Sequence, residues 1–351
     1  MRTLVVRLDN AGDVLLCGPA VRAAAAGSRH VTLLAGPEGA DAARLLPGVD
    51  DVLVWRAPWA GFDPPPVDRR EVADLVARLG GYDRALILTS FHQSPLPAAL
   101  LLRLAGVGHI AAISEDYPGS LLDVRHRVED DIPEAERALS LARAAGFDLP
   151  DGDDGRLAIR RPLPPAPLDG RYVVLHPGVS VPARAWPEGH CARAVRDLTA
   201  RGRRVVVTGG PDERALTARV AGDAGLDLGG RTTFAELAGV LAGASAVVAG
   251  NTGPAHLAAA VGTPVVSLFA PVVPAVRWAP YGVRHVLLGD QDAPCRDTRA
   301  RECPVAGHPC LTSVEPADVV AAVEEVLTWR PPPPGGGGFQ PTSTYAEEEE
   351  G

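Results

Sequence analysis

The sequence predicts an α/β protein of two Rossmann-like domains, each a parallel sheet with helices on its faces. Three observations carry this. At 351 residues the chain is long enough for two cores. Short runs of Val, Leu, Ile and Ala alternate with helix-length stretches from the first residues onward, as in parallel strands buried on both faces. The alternation stops at a run that neither a helix nor an inner strand can hold, Arg161-Pro162-Leu163-Pro164-Pro165-Ala166-Pro167, and restarts at Tyr172.

In the first half, strand patterns fall at 3–7, 31–34, 52–55, 85–88 and 110–113, with helical patterns at 14–26, 41–46, 70–79, 96–104 and 135–145. The segment 57–67, rich in Pro and carrying Trp59 and Phe62, reads as a loop, either a flap on the acceptor side or a plain connector. In the second half, strands fit 173–176, 205–208, 246–249, 265–269 and 286–288, and helices fit 187–200, 212–224, 234–241, 254–261 and 316–328. The expected organisation is a first domain at 1–160, a Pro-rich linker at 161–170, a second domain at 171–315 and a closing helix at 316–330. The low-complexity run 331–351, PPPPGGGGFQPTSTYAEEEEG, is expected to be disordered.

Composition excludes several classes. Net charge is −9, with Glu347 to Glu350 supplying −4 of it, and every basic residue other than His is Arg. Nothing here favours nucleic acid or an anionic membrane surface. The opening MRTLVVRLDN reads as a first strand without a signal-peptide pattern, and no apolar run is long enough to span a bilayer. The expected location is the cytoplasm, with peripheral membrane contact left open. Five cysteines are too few and scattered for a disulfide framework. Cys295, Cys303 and Cys310 with His308 have the residue types of a zinc site but lack a C-x2-C knuckle, so plain thiols or a disulfide remain the alternative.

Four polar turns follow strands, where open α/β sheets bind ligands. Asp9-Asn10-Ala11-Gly12-Asp13 places carboxylates after the first strand, as helix caps or as a base. His176-Pro177-Gly178-Val179-Ser180 leads to Arg184-Ala185-Trp186-Pro187, offering a hydroxyl and a guanidinium; Arg184 could equally be a surface residue and Trp186 a packing anchor. Thr208-Gly209-Gly210-Pro211-Asp212-Glu213 puts acids in a first helical turn, which the helix dipole alone would favour. Gly250-Asn251-Thr252-Gly253 opens a small-residue helix at Pro254 whose free N–H groups make an anion seat.

These motifs resemble glycosyltransferase family 9, the heptosyltransferase-like enzymes with a GT-B fold. R-L-D-N-x-G-D-V-L-L-x-x-P-A-x-R-A is similar to the family's opening motif. H-P-G-x-S with R-x-W-P, T-G-G-P-x-E, and N-T-G-P-x-H-L-A-A-A-x-G-x-P-V-V-x-L-F are similar to its donor-site motifs. The resemblance implies two Rossmann-like domains facing a cleft and inverting transfer of a sugar, such as heptose from ADP-heptose, to a glycan, glycolipid or small-molecule acceptor. It implies Asp13 as general base, with Asp9 its rival. Ser180, Arg184, Thr252 and Gly253 would bind the donor diphosphate, and Glu213, Thr232, Thr233 and Phe234 the nucleoside. Asn251 and His256 would complete the donor site, although Asn251 stands where the family usually has Asp, and His256 could equally be a structural histidine.

No cofactor or divalent metal is expected, because a fixed cation and a helix N-terminus can stabilise a departing diphosphate. Asp151-Gly152-Asp153 has the letters of a D-x-D metal motif but lies in the approach to the linker. The closing helix is expected to cross back to the first domain. A GT-B-like sugar-nucleotide epimerase and a non-catalytic nucleotide-sugar binding protein remain the alternatives. A dinucleotide oxidoreductase is disfavoured, because no G-x-G-x-x-G follows a strand.

Overall fold

A computed structural model describes residues 1–61, 63–129, 131–166 and 168–328. Phe62 and the expected tail at 331–351 lie outside the described residues. The chain divides into two compact units at Arg161, where the Pro-rich run begins.

The first unit runs β1 (Arg2–Arg7), α1 (Ala11–Leu16), α2 (Gly18–Ala26), β2 (His30–Ala35), α3 (Ala40–Leu45), β3 (Asp51–Val54), α4 (Arg69–Arg78), β4 (Arg84–Ile87), α5 (Leu96–Leu104), β5 (His109–Ile113), β6 (Val124–His126) and α6 (Glu134–Ala144). Its sheet has the order β3-β2-β1-β4-β5-β6, and every pairing is parallel. Period-2 alternation along β1 sends Leu4 and Val6 into a core with Leu75, Leu79, Ile87, Leu101 and Leu102. Arg7 belongs to the opposite face, a polar residue at a buried strand position.

The second unit runs β7 (Val173–His176), α7 (Glu188–Ala200), β8 (Val205–Val207), α8 (Arg214–Ala221), β9 (Leu226–Asp227), α9 (Phe234–Gly243), β10 (Ala246–Gly250), α10 (Gly253–Val261), β11 (Val265–Leu268), α11 (Ala275–Trp278), β12 (His285–Leu288), α12 (Pro309–Thr312) and α13 (Pro316–Thr328). The sheet order β12-β11-β10-β7-β8-β9 repeats the first unit's topology, again with parallel pairs throughout. In each unit the order reverses beside the first strand, between β1 and β4 and between β7 and β10. Such switch points leave a crevice at the carboxyl ends of the strands.

Two details differ from the sequence expectation. The helix expected at 14–26 breaks at Cys17 (φ −78°, ψ −5°), ahead of Gly18-Pro19, because Pro19 brings no N–H and its ring crowds the preceding turn. The edge strands β6 and β9, of three and two residues, were not expected. The closing helix places Val319, Val320, Val323 and Val326 in the core of the second unit with Cys191, Val195, Leu198 and Val266. Each such fully buried aliphatic side chain contributes about 1.5–3 kcal/mol. Arg203 also grips Glu324 through two hydrogen bonds, and Arg284 donates to Glu325.

Candidate active site

At the switch point of the first unit, the chain leaves β1 through Leu8-Asp9-Asn10 and enters α1 with Asp13 in its first turn. The turn is tight: a Cβ on Gly39 would lie 2.7 Å from the Asp9 carbonyl oxygen. Arg7 lies beneath it. Its Nη2 donates to Asp13 Oδ1 (2.9 Å) and to Ser90 Oγ (2.8 Å), and its Nε forms an ion pair with Asp9 Oδ2 at 2.7 Å. Burial opposes the Arg7 charge, but the surrounding acidic groups, Asp9 foremost, outweigh it and hold the guanidinium pKa raised.

The two candidate bases are thereby distinguished. Asp9 has both oxygens engaged, since Oδ1 accepts from Gln93 Nε2 at 2.5 Å, and burial raises its pKa. Asp13 uses Oδ1 only; among the described residues Oδ2 has no bonding partner, and its side chain is 23% exposed against 12% for Asp9. Beside Gln93 an apolar hollow is lined by Val6, Leu8, Trp59, Ile87 and Leu88.

In the second unit, β7 ends at His176 and the chain passes through Pro177-Gly178 to a short 3-10 turn, Pro182–Arg184. A Cβ on Gly178 would fall 1.9 Å from Glu213 Oε1, so a larger residue there would displace the Glu213 carboxylate. Glu213 Oε2 accepts from its own Gly210 N–H (2.7 Å) and lies 3.8 Å from His176 Nε2. His176, not singled out in the sequence, is buried, pairs with Thr208 Oγ1 through Nδ1 (2.9 Å), and has its pKa lowered by burial.

Across the switch point, Arg184 Nη1 donates to the Asn251 carbonyl oxygen at 3.2 Å, joining the β7 turn to the β10 turn. Thr252 is the N-cap of α10 and makes no side-chain cap bond; Pro254 brings no N–H, and the Ala255 N–H donates to the Thr252 carbonyl oxygen (3.1 Å). Asn251 and His256 are both at least nine-tenths buried, and among the described residues Asn251 Nδ2 and His256 Nδ1 have no hydrogen-bond partner. A buried polar atom left so costs about 1–3 kcal/mol. The turn therefore presents a guanidinium and two unsatisfied nitrogens at the N-terminus of α10.

The remaining candidates sit differently. Ser180 is exposed. The turn before Thr232 is tied to the Gly209 turn by a bond from Gly230 N–H to Gly209 O (2.8 Å). The Thr233 hydroxyl is taken up in a capping box with Glu236, while Thr232 and Phe234 are partly exposed. Among the described residues no group of three or more His, Cys, Asp and Glu is placed to hold a metal ion. His308 Nε2 pairs with Ala183 O (3.0 Å), and the five cysteines are free thiols. Burial pushes the Cys17, Cys191 and Cys310 thiols up to about 12.

The family model for glycosyltransferase family 9 (heptosyltransferase) matches residues 74–308. The chain belongs to this family. It is 29% identical over 336 residues to lipopolysaccharide heptosyltransferase 1 of Pseudomonas aeruginosa, covering 86% of this chain and 87% of that one. It is also 32% identical over 197 residues to lipopolysaccharide heptosyltransferase 3 of Escherichia coli, where the match covers 54% of this chain and 56% of the relative. Among solved structures, E. coli ADP-heptose lps heptosyltransferase II superposes with a TM-score of 0.70 at 20% identity, over 93% of this chain and 98% of that one. E. coli heptosyltransferase WaaC with ADP-2-deoxy-2-fluoro heptose superposes at 0.69 and 23%, over 93% and 99%. The family 9 chain thus has the GT-B kind of fold and is a glycosyltransferase, which decides among the classes its sequence left open. No helix among the described residues is long and apolar enough to cross a membrane.

One prediction belongs to this donor turn. Burial, with the Arg184 charge second, pushes the His256 imidazole down to about 4. Unfolded, it would take a proton near pH 6.5. The unfolded state therefore binds more protons between these values, and stability of the second unit falls as pH drops from about 6.5 to 4. His256 alone accounts for on the order of 3 kcal/mol of that loss. Urea unfolding at pH 7 and at pH 4.5 should show a smaller difference in His256→Gln than in the parent; equal differences would mean that His256 is protonated in the folded state.

Proposed function

We propose that the protein is an inverting heptosyltransferase-like enzyme whose second unit binds ADP-heptose or a closely related nucleotide sugar. The observation that carries this reading is the β10–α10 turn, where buried Asn251 and His256 nitrogens that have no partner among the described residues lie with Arg184 at the N-terminus of α10. Oxygens of a diphosphate and its sugar satisfy these groups. Thr252, Gly253 and the exposed Ser180 lie within the same turns. Glu213, Thr232 and Phe234 border the nucleoside, with Thr233 capping the helix beside them. The adenine nucleotide and the heptose are those of the similar E. coli ADP-heptose lps heptosyltransferase II and of heptosyltransferase WaaC with ADP-2-deoxy-2-fluoro heptose.

Asp13 Oδ2 takes the proton of an acceptor hydroxyl as that hydroxyl attacks the anomeric carbon from the face opposite the leaving diphosphate. The anomeric bond to the diphosphate breaks as the new glycosidic bond forms, which inverts the centre. Charge gathering on the leaving group meets Arg184 and the helix N-terminus, so the step needs no divalent cation. The acceptor is a hydroxyl of a glycan, glycolipid or small molecule, and the apolar hollow beside Gln93 suits an apolar part of it. Asn251 presents an amide where a carboxylate is usual, so it donates to the donor sugar instead of accepting from it.

Thermal unfolding with ADP-heptose, ADP and UDP-glucose, with and without EDTA, tests the reading. A ligand at a hundredfold excess over its Kd stabilises the folded state by about 2.7 kcal/mol. The expected result is a rise with the ADP series that EDTA leaves unchanged. A rise that EDTA abolishes would require a metal, and no rise with any nucleotide would remove the donor assignment.

A further inference from the structure

The cluster beneath Asp13 contains more than a base. Arg7 is 2% exposed at the end of β1, and its guanidinium faces three carboxylates: Asp9, Asp13 and, at 3.9 Å from Nη1, Glu134 of α6. Glu134 is itself buried and lies 3.7 Å from Arg137, whose Nη1 donates to the Thr89 carbonyl oxygen (2.6 Å). Burying a guanidinium costs several kcal/mol unless charges and hydrogen bonds compensate it. Here the compensating groups come from β1, α1, α6 and the segment after β4, the four pieces that meet at the switch point.

The directions of the bonds separate the partners. Arg7 Nε is close to Asp9 but lacks hydrogen-bond alignment, whereas Nη2 makes aligned bonds to Asp13 Oδ1 and Ser90 Oγ. Ser90 is buried and fixed in turn by its own N–H, which donates to Gln93 Oε1 (3.1 Å). One Asp13 oxygen is thus held by a rigid donor while the other is left unbonded. The acidic groups facing Arg7 would, without it, repel one another across a few ångströms.

We propose that Arg7 is a positioning residue for the Asp13 base, locking Oδ1 so that Oδ2 is the proton-accepting oxygen, with Glu134 as its buried counter-charge. This rests on Asp13 being the base, as proposed above. When Oδ2 takes the acceptor's proton, Asp13 becomes neutral, and Arg7 remains balanced by Asp9 and Glu134. The groups facing Arg7 are Asp9 after β1, Asp13 and Cys17 of the α1 region, Ser90 after β4, and Glu134 of α6 with Arg137 behind it.

The test is single-turnover transfer from ADP-heptose by the full chain, set beside calorimetric Kd values for ADP. In Arg7→Met the transfer rate should fall about 10²-fold, the usual effect of misplacing a reacting group, while the Kd for ADP is unchanged. Arg7→Lys, which keeps the charge but not the fork, should recover part of the loss. If Arg7→Met does not fold, Arg7→Gln carries the same test, since it keeps a side-chain N–H donor without the charge. A parent-level rate in either folded neutral variant overturns the proposal. ADP binding by the parent reads the donor site separately, so its absence would count against the proposed function and not against Arg7.

Discussion

Asp13→Asn is expected to lower kcat by about 10²- to 10⁴-fold, the range a positioned general base contributes, while nucleotide binding is unchanged. Asparagine has the size of aspartate and keeps an oxygen at the Oδ1 position, so the bond from Arg7 Nη2 and the first turn of α1 survive. Only the ability of the second position to take a proton is removed. Single-turnover rates with ADP-heptose, set beside calorimetric Kd values for ADP, separate the two effects. A variant that turns over at the parent rate would move the base elsewhere, and Asp9, hydrogen-bonded by Gln93 and ion-paired with Arg7, would be the next residue to examine.

Arg184→Met should weaken nucleoside diphosphate binding about 10- to 100-fold, since hydrogen bonds to charged groups contribute about 1.5–3 kcal/mol. The half-buried guanidinium joins the β7 and β10 turns through the Asn251 carbonyl, so its removal subtracts a positive charge and loosens the turn that leads into α10. Arg184→Lys should recover part of the loss, as a point charge without the planar fork. Calorimetry with ADP decides it. An unchanged Kd in a folded variant would reduce Arg184 to a packing role beside Trp186, whose indole N–H is already bonded to Val314 O (3.0 Å).

What the sequence made legible follows from periodicity and turn chemistry. Buried parallel strands such as Ala246–Gly250 are apolar on both faces and announce themselves, and the polar turns after them mark the switch points directly. The edge strands β6 and β9 are too short to produce a period, and their pairing is decided by the neighbouring strand. The break at Cys17 was available in Gly18-Pro19 but was masked by the continuous apolar pattern around it. Arg7 could have been noticed as a charged residue at an inward strand position, yet its partners Ser90 and Glu134 are more than eighty residues away in the chain. Thr233 illustrates the converse: the letters T-x-x-E fit a capping box as well as a nucleoside contact, and the structure uses the hydroxyl for the cap.

The strand order also has a biosynthetic consequence. In each unit the strand made first is a central one: Thr3 pairs with Val31 on one side and Arg84 on the other, and Val173 pairs with Val205 and Ala246. At about 5–20 residues per second of translation, β1 waits roughly 4–16 s after its own synthesis for its second neighbour. During that interval an apolar strand with an unpaired edge is outside the ribosome, and each sheet closes only when distant segments arrive. Non-local pairing of this kind folds slowly and is open to association with other chains. Yield of the active protein should therefore depend on translation speed and on holdase chaperones more than on the stability of the finished fold.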